Sequence, residues 1–315
     1  CGKHGYDPNR ADAIFTAMSV SSHRDSANAT LLGIAALVLW ASLVAVARGV
    51  RENMGVVPSA AVANLLGGII ALTIGPGKSG RLGRLLRLPP KYLLGCGGLF
   101  VLYNLALFPA IERATTHRQT VDIALINYLW PALSVLGTVI ILHKRASGWL
   151  WLGLVTATAG AFWAASRGSI SWASLHAGVV ANPLPYVLAL VAAISWALYS
   201  TLTRRWAGHA TDNAAPLFLI ATGIGLFILH SASSSYLRFP LDPYAIAQLA
   251  YFTLCPTMLA YVFWDRAMRR GNIVLVTSLS FFTPVMSTLI SCAYLGVPMG
   301  RDLLVASGLV VAGAW

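Results

Sequence analysis

Apolar runs of about 20 residues succeed one another along nearly the whole chain, parted by short polar or Gly/Pro-rich breaks. Runs of that length match an α-helix crossing the hydrocarbon of a bilayer. The pattern predicts ten spans, at 30–49, 56–75, 91–112, 119–142, 148–166, 183–203, 213–231, 244–265, 272–295 and 302–315. The longest connection runs from about Gly75 to Lys91, so no separate extramembrane domain is expected. Residues 1–29 are polar and lack the apolar core of a secretory signal. They read as a disordered cytosolic tail, with Met18 as a candidate start. The expected fold is an all-α polytopic membrane protein.

A shift of 153 residues lays the chain on itself. Glu112–Ala114 then falls on Asp265–Ala267, Pro131 on Pro284, Ser134 on Ser287 and Ala159–Phe162 on Ala312–Trp315. Eleven of 51 gap-free pairs are identical. Near a shift of 156, Trp40 meets Trp196. The chain therefore divides into two five-helix units, 30–166 and 183–315, joined by a linker at 167–182. Five is odd, so the second unit would cross the membrane in the opposite sense. Ten helices arranged as two inverted repeats are a transporter architecture, with the site between the repeats near the midplane.

Composition sharpens this picture. Residues are 57% hydrophobic and 10% charged, with a mean hydropathy of +0.71; a soluble domain carries roughly 25% charged residues. The net charge of +12 comes from basic residues scattered between apolar runs. That placement sets topology and gives no nucleic-acid surface. With the N-terminus inside, 15 of the 22 Lys and Arg residues fall on the cytoplasmic side and 7 on the other. Both termini are therefore expected in the cytoplasm. The four cysteines have no C-x-x-C spacing and read as packing residues. No metal-ligand pattern, cofactor fingerprint, H-E-x-x-H or G-x-S-x-G occurs. Gly77–Ser79 reads GKS, but Leu72 stands where a phosphate loop needs its first glycine.

The candidate chemistry sits at span centres. "NYLWP", Asn127–Pro131, lies in the middle of the fourth apolar run. A proline inside a helix leaves the carbonyl four residues earlier without its donor. For Pro131 that carbonyl is Asn127's, and for Pro284 it is Ser280's; with Pro256 these prolines are the expected helix-break or hinge positions. A polar stripe continues on each helix, through Asn127, Pro131, Ser134 and Thr138 and through Thr277, Ser280, Pro284, Ser287 and Ser291. These stripes are either cavity walls or interhelical hydrogen-bond glue. Span three adds Tyr103 and Asn104, span eight Pro256, and spans one and six Trp40 and Trp196. With Trp130, the aromatic residues offer faces for a ring to stack on and a cation–π partner for an ammonium. Asp122, Glu112 and Asp265 lie toward helix ends. The paired Glu-Arg-Ala and Asp-Arg-Ala motifs read as local end-capping and interfacial anchors, with a gate role as the alternative.

A chain of five plus five spans, with a proline in spans four and nine, resembles the EamA-type branch of the drug/metabolite transporter superfamily. The resemblance covers the chain from about residue 30, and the pentapeptide at 127–131 looks like the aromatic amino acid exporters of bacterial inner membranes. One departure is clear: Leu142–Arg145 and Leu295–Pro298 stand where the family often carries an acidic pair. The resemblance implies an inner-membrane amino acid exporter working by alternating access. Without a titratable group at the midplane, ion coupling is not expected. Export of cationic aromatic drugs or other small metabolites is the alternative, and a membrane-embedded enzyme the rival from another class. The expected partners are a small-molecule substrate and lipid. A single cysteine placed in the 76–90 loop should react with impermeant reagent only from the cytoplasmic side; labelling in intact cells would reverse the topology.

Overall fold

The computed structural model describes residues 8–46, 50, 54–74, 80–143, 148–166, 172–208, 210, 212–232, 242–295, 305 and 308–309. Nearly all of the expected tenth span at 302–315, and the side chain of Ser291, lie outside the described residues. Every regular element among those described is helical. They are α1 (Pro8–Val46), α2 (Val56–Ile74), α3 (Arg81–Leu86), α4 (Lys91–Glu112), α5 (His117–Asn127), α6 (Trp130–Ile141), α7 (Gly148–Ser166) and α8 (Trp172–Ala181). The second half adds α9 (Leu184–Trp206), α10 (Ala215–Ser231), α11 (Pro243–Arg270), α12 (Ile273–Leu279) and α13 (Thr283–Leu295). Seven helical stretches among the described residues are long and apolar enough to cross a membrane. The protein is a multi-pass membrane protein.

One expectation needs correction. Residues 8–29 are not an irregular tail but the start of α1. Nothing between Arg10 and Thr30 is Gly or Pro, so no residue stops the helix there. The expected linker at 167–182 contains the ten-residue α8. The fourth and ninth apolar runs are not continuous α-helices. The fourth breaks at Tyr128–Leu129, between α5 and α6. The ninth tightens into a 3₁₀ turn at Ser280–Phe282, between α12 and α13. The two irregular turns coincide on the 153-residue shift. Each is followed by its proline, at the second position of the next helix, where the missing N–H is tolerated.

Packing is reciprocal between the halves. α9 lies against α4 and α6, while α1 lies against α11 and α13; α2 packs on α10. The α2–α10 pair approaches closely because it is built on glycine. A Cβ added at Gly68 would stand 2.8 Å from the Ile220 amide and 2.9 Å from the Pro216 carbonyl, and one at Gly223 would stand 2.6 Å from the Leu65 amide. Between membrane helices, where lipid is as apolar as the side chains, such backbone proximity supplies the dispersion energy of association.

Polar contacts mark the two ends of the bundle. At one end Arg84 pairs with Asp212, and Arg266 and Arg270 pair with Asp25. At the other, Glu112 accepts the Val57 amide at the start of α2, and Asn182 donates to the Arg113 carbonyl. Gly68→Ala should cost about 1–3 kcal/mol of stability by forcing α2 off α10. Gly98→Ala, where an added Cβ meets nothing within 4 Å, should be nearly neutral. Thermal unfolding of both variants in detergent checks the difference.

Candidate functional site

Pro131 and Pro284 have no amide hydrogen, and Pro256 has none in the middle of α11. Around Pro256 the helix widens into a π-helical stretch, Thr253–Leu259, which changes the carbonyl pairing. The Pro256 carbonyl accepts the Trp40 indole N–H at 2.9 Å. That bond ties α1 to α11 and uses the polar edge of Trp40.

These three irregular segments surround one cavity of about 390 Å³, within the size range of small-molecule sites. The first-half wall is Trp40 and Leu43 from α1, Tyr103, Leu107, Phe108 and Ile111 from α4, and Thr120, Val121, Ala124, Asn127, Tyr128 and Trp130 at the α5–α6 break. The second half supplies Trp196 from α9, Phe252, Pro256, Thr257 and Tyr261 from α11, and Thr283, Pro284, Ser287 and Thr288 from α13. None of these lining residues is charged.

Trp196 is the hub of the aromatic wall. Its ring lies 4.6 Å from Tyr103, 5.1 Å from Tyr199, 5.4 Å from Trp40, 5.7 Å from Tyr261 and 6.2 Å from Trp130, centroid to centroid. Trp264 stacks on it at 5.9 Å. Spacing and tilt of this kind put ring edges against ring faces. Five of the seven residues singled out from sequence as substrate contacts line the cavity together: Trp40, Tyr103, Asn127, Trp130 and Trp196.

Two do not. Ser280 is fully buried and donates its hydroxyl to the Thr277 carbonyl within its own turn. The 3₁₀ tightening brings that carbonyl into reach and turns the side chain away from the cavity. Asn104 is also fully buried, behind the wall; its Nδ2 donates to the Phe100 carbonyl and its Oδ1 accepts the Tyr261 hydroxyl at 3.2 Å. It orients a lining ring. Of the three hinge prolines, Pro256 and Pro284 line the cavity, and Pro131 is buried beside Trp130. The sequence reading overlooked Tyr261 and Thr283. Thr283 falls on Trp130 under the 153-residue shift, a signal that was present.

The cavity reaches Ile111 and Thr120, near the helix ends at Glu112 and His117. Toward the Arg84–Asp212 end it stops at the rings of Trp196 and Tyr261, with Trp264 and Phe100 packed behind them. Beyond those rings lies a buried ion pair. Arg269 Nε donates to Asp265 Oδ2 at 2.8 Å, and Asp265 is wholly inaccessible. Asp265 Oδ1 accepts the Tyr92 hydroxyl at 2.6 Å and the Tyr199 hydroxyl at 3.3 Å. Arg269 also donates to the Ala210 carbonyl at 2.9 Å. The Asp-Arg-Ala motif is therefore no local cap, because its acid joins α4, α9 and α11. Its counterpart Glu112 does act as a cap, on the α2 amide. Asp122, the third acid, is buried, 3.2 Å from Arg118 and 3.3 Å from the Tyr186 hydroxyl.

Comparison with known proteins places this arrangement. The profile described as the EamA-like transporter family matches residues 27–166 and 183–315. The aromatic amino acid exporter YddG of Escherichia coli (strain K12) is 30% identical over 290 residues, covering 91% of this chain and 95% of that protein. Its counterpart in Salmonella typhimurium is 31% identical over 301 residues, covering 92% and 96%. A solved structure described as "Crystal structure of protein" superposes with a TM-score of 0.76 at 28% identity, over 91% of this chain and 94% of that one.

Removing one member of the buried pair strands the other. Asp265→Asn should cost about 3–5 kcal/mol and lower Tm sharply, whereas the double variant Asp265→Leu/Arg269→Met should recover most of the loss. Equal Tm for the wild type and Asp265→Asn would show that the pair contributes nothing.

Proposed function

The chain belongs to the EamA-like transporter family, and from that premise we propose that it exports amino acids, aromatic ones preferred, from the bacterial cytoplasm across the inner membrane. The observation that carries the reading is the wall itself: Trp40, Tyr103, Trp130, Trp196 and Tyr261 around an uncharged space of about 390 Å³. Rings of this kind stack on an aromatic side chain and face an ammonium group. The relatives named as aromatic amino acid exporters cover almost the whole chain and support the same substrate class. A cationic drug would lack an anionic partner among the lining residues.

The mechanism is alternating access between inverted repeats. It is supported by the reciprocal packing of α9 on α4 and α6 and of α1 on α11 and α13. The coincident breaks at 128–129 and 280–282 support it as well. Placing both termini in the cytoplasm makes the Arg84–Asp212 end cytoplasmic, as the Lys/Arg distribution requires. The cavity then opens outward, closed on the inside by the aromatic hub and by the Asp265–Arg269 pair behind it. Inward opening would part α4 and α9 from α11 and break the Tyr92 and Tyr199 bonds to Asp265. In this reading Trp40, Tyr103, Asn127, Trp130 and Trp196 touch substrate, while Ser280 and Asn104 hold the wall in place.

The carrier works as a uniporter. Coupling to protons needs a group on the path that changes charge between the two accessible states, and the lining residues are apolar, aromatic, amide or hydroxyl. Counterflow of labelled phenylalanine in liposomes tests substrate and mechanism together. Asn127→Ala and Trp130→Ala should each lower that flux about tenfold or more, at near-normal folded yield. With equal substrate on both sides, neither a pH difference nor a membrane potential should drive accumulation. Sustained accumulation under the pH difference alone would overturn the uncoupled mechanism.

A further inference from the structure

A hydroxyl in a membrane helix ordinarily donates to a carbonyl one turn earlier. The two broken helices follow that habit at Ser134, Thr277, Ser280 and Thr288, which donate to the carbonyls of Trp130, Ile273, Thr277 and Pro284. Thr283 does not. It is 7% exposed and lines the cavity, and its Oγ1 is buried without a hydrogen-bond partner. The other break carries a matching atom. Asn127 lines the same cavity, and its Oδ1 is likewise buried and unpaired. Buried polar atoms are nearly always satisfied in folded proteins, and of the unpaired ones among the described residues only these two belong to residues that line the cavity, where a partner can arrive from outside. Here one stands at each break, and both border one space.

Their chemistry differs. An amide oxygen only accepts hydrogen bonds, whereas a threonine hydroxyl with an uncommitted proton can donate one. Resting on the amino acid reading above, we infer that the cavity holds the zwitterionic head of its substrate in a fixed sense, the ammonium on Asn127 Oδ1 and the carboxylate on Thr283 Oγ1. The side-chain ring then lies against Trp40, Tyr103, Trp130 and Trp196. Neutral partners suit this cargo. The head carries no net charge, and when substrate leaves, no ion is stranded in a low-dielectric space. The two contacts come from opposite halves of the chain, so a head seated on both bridges the elements that must move. A ligand missing either charge holds only one of them.

The full chain in liposomes, with labelled phenylalanine counterflow, separates the two ends of the head. The competitors are unlabelled phenylalanine, phenethylamine, which lacks the carboxylate, and 3-phenylpropionate, which lacks the ammonium. In the wild type both analogues should compete at least about tenfold more weakly than phenylalanine. Thr283→Val should weaken phenylalanine and 3-phenylpropionate about tenfold and leave phenethylamine within about twofold. Asn127→Leu should do the reverse, weakening phenylalanine and phenethylamine but sparing 3-phenylpropionate. Thr283→Ser, which keeps the hydroxyl, should behave like the wild type. An equal loss for all three competitors would make Thr283 merely structural and overturn the assignment, as would an unchanged profile or a crossed one. Absence of phenylalanine counterflow in the wild type would instead defeat the amino acid reading and take the assignment with it.

Discussion

A backbone carbonyl or amide left unpaired in hydrocarbon is costly enough to forbid irregular chain at the lipid surface. The arrangement of this protein follows from where it accepts irregularity. Pro131, Pro256 and Pro284 disturb three helices at one depth, and the disturbed turns lie side by side around a cavity rather than against lipid. Side-chain donors bond backbone carbonyls beside each break. The indole of Trp40 takes the Pro256 carbonyl, the Ser280 hydroxyl takes Thr277's, and Ser134 takes that of Trp130.

The two ends of that cavity differ in kind. Toward the Arg84–Asp212 end stand large rings in mutual contact and, behind them, an acid with three side-chain partners from three helices. Toward the other end the repeat-related positions are lighter: Ile111 stands where Trp264 stands, and Thr253 where Phe100 stands. The 153-residue match pairs these positions, and the side chains on them differ between the two ends. A buried ion pair contributes little net stability once desolvation is counted, but losing one member is severe. Such a pair suits a closure that must be either wholly formed or wholly parted. The wall between the ends stays neutral.

Much of this was legible in the chain. Apolar length fixed the helical class, because only helices pair their whole backbone internally at that depth. The paired prolines gave the position of both breaks, since a missing amide hydrogen acts whatever surrounds it. Five of the seven candidate contacts could be chosen because a polar or aromatic residue at a span centre is costly unless it faces a cavity or a partner. Helical spacing could not tell which residues on one face look inward and which bond their own turn. Ser280 and Thr283 are three residues apart in the same apolar run, yet one is satisfied by Thr277 and the other is unpaired. That difference comes from the local 3₁₀ tightening, which depends on the packing of α12 and α13 against their neighbours. Asn104 and Tyr261 show the same limit: they lie 157 positions apart in sequence and share a hydrogen bond. The three partners of Asp265 and Arg269 were equally unreadable, because Tyr92, Tyr199 and the Ala210 carbonyl reach them from other helices and a loop. The sequence by itself determined the solvent, the helical class and the places where the helices must break. The tertiary structure decided which polar side chains meet across helices and which buried polar atoms stay unpaired, because both depend on contacts between segments that have no fixed relation along the chain.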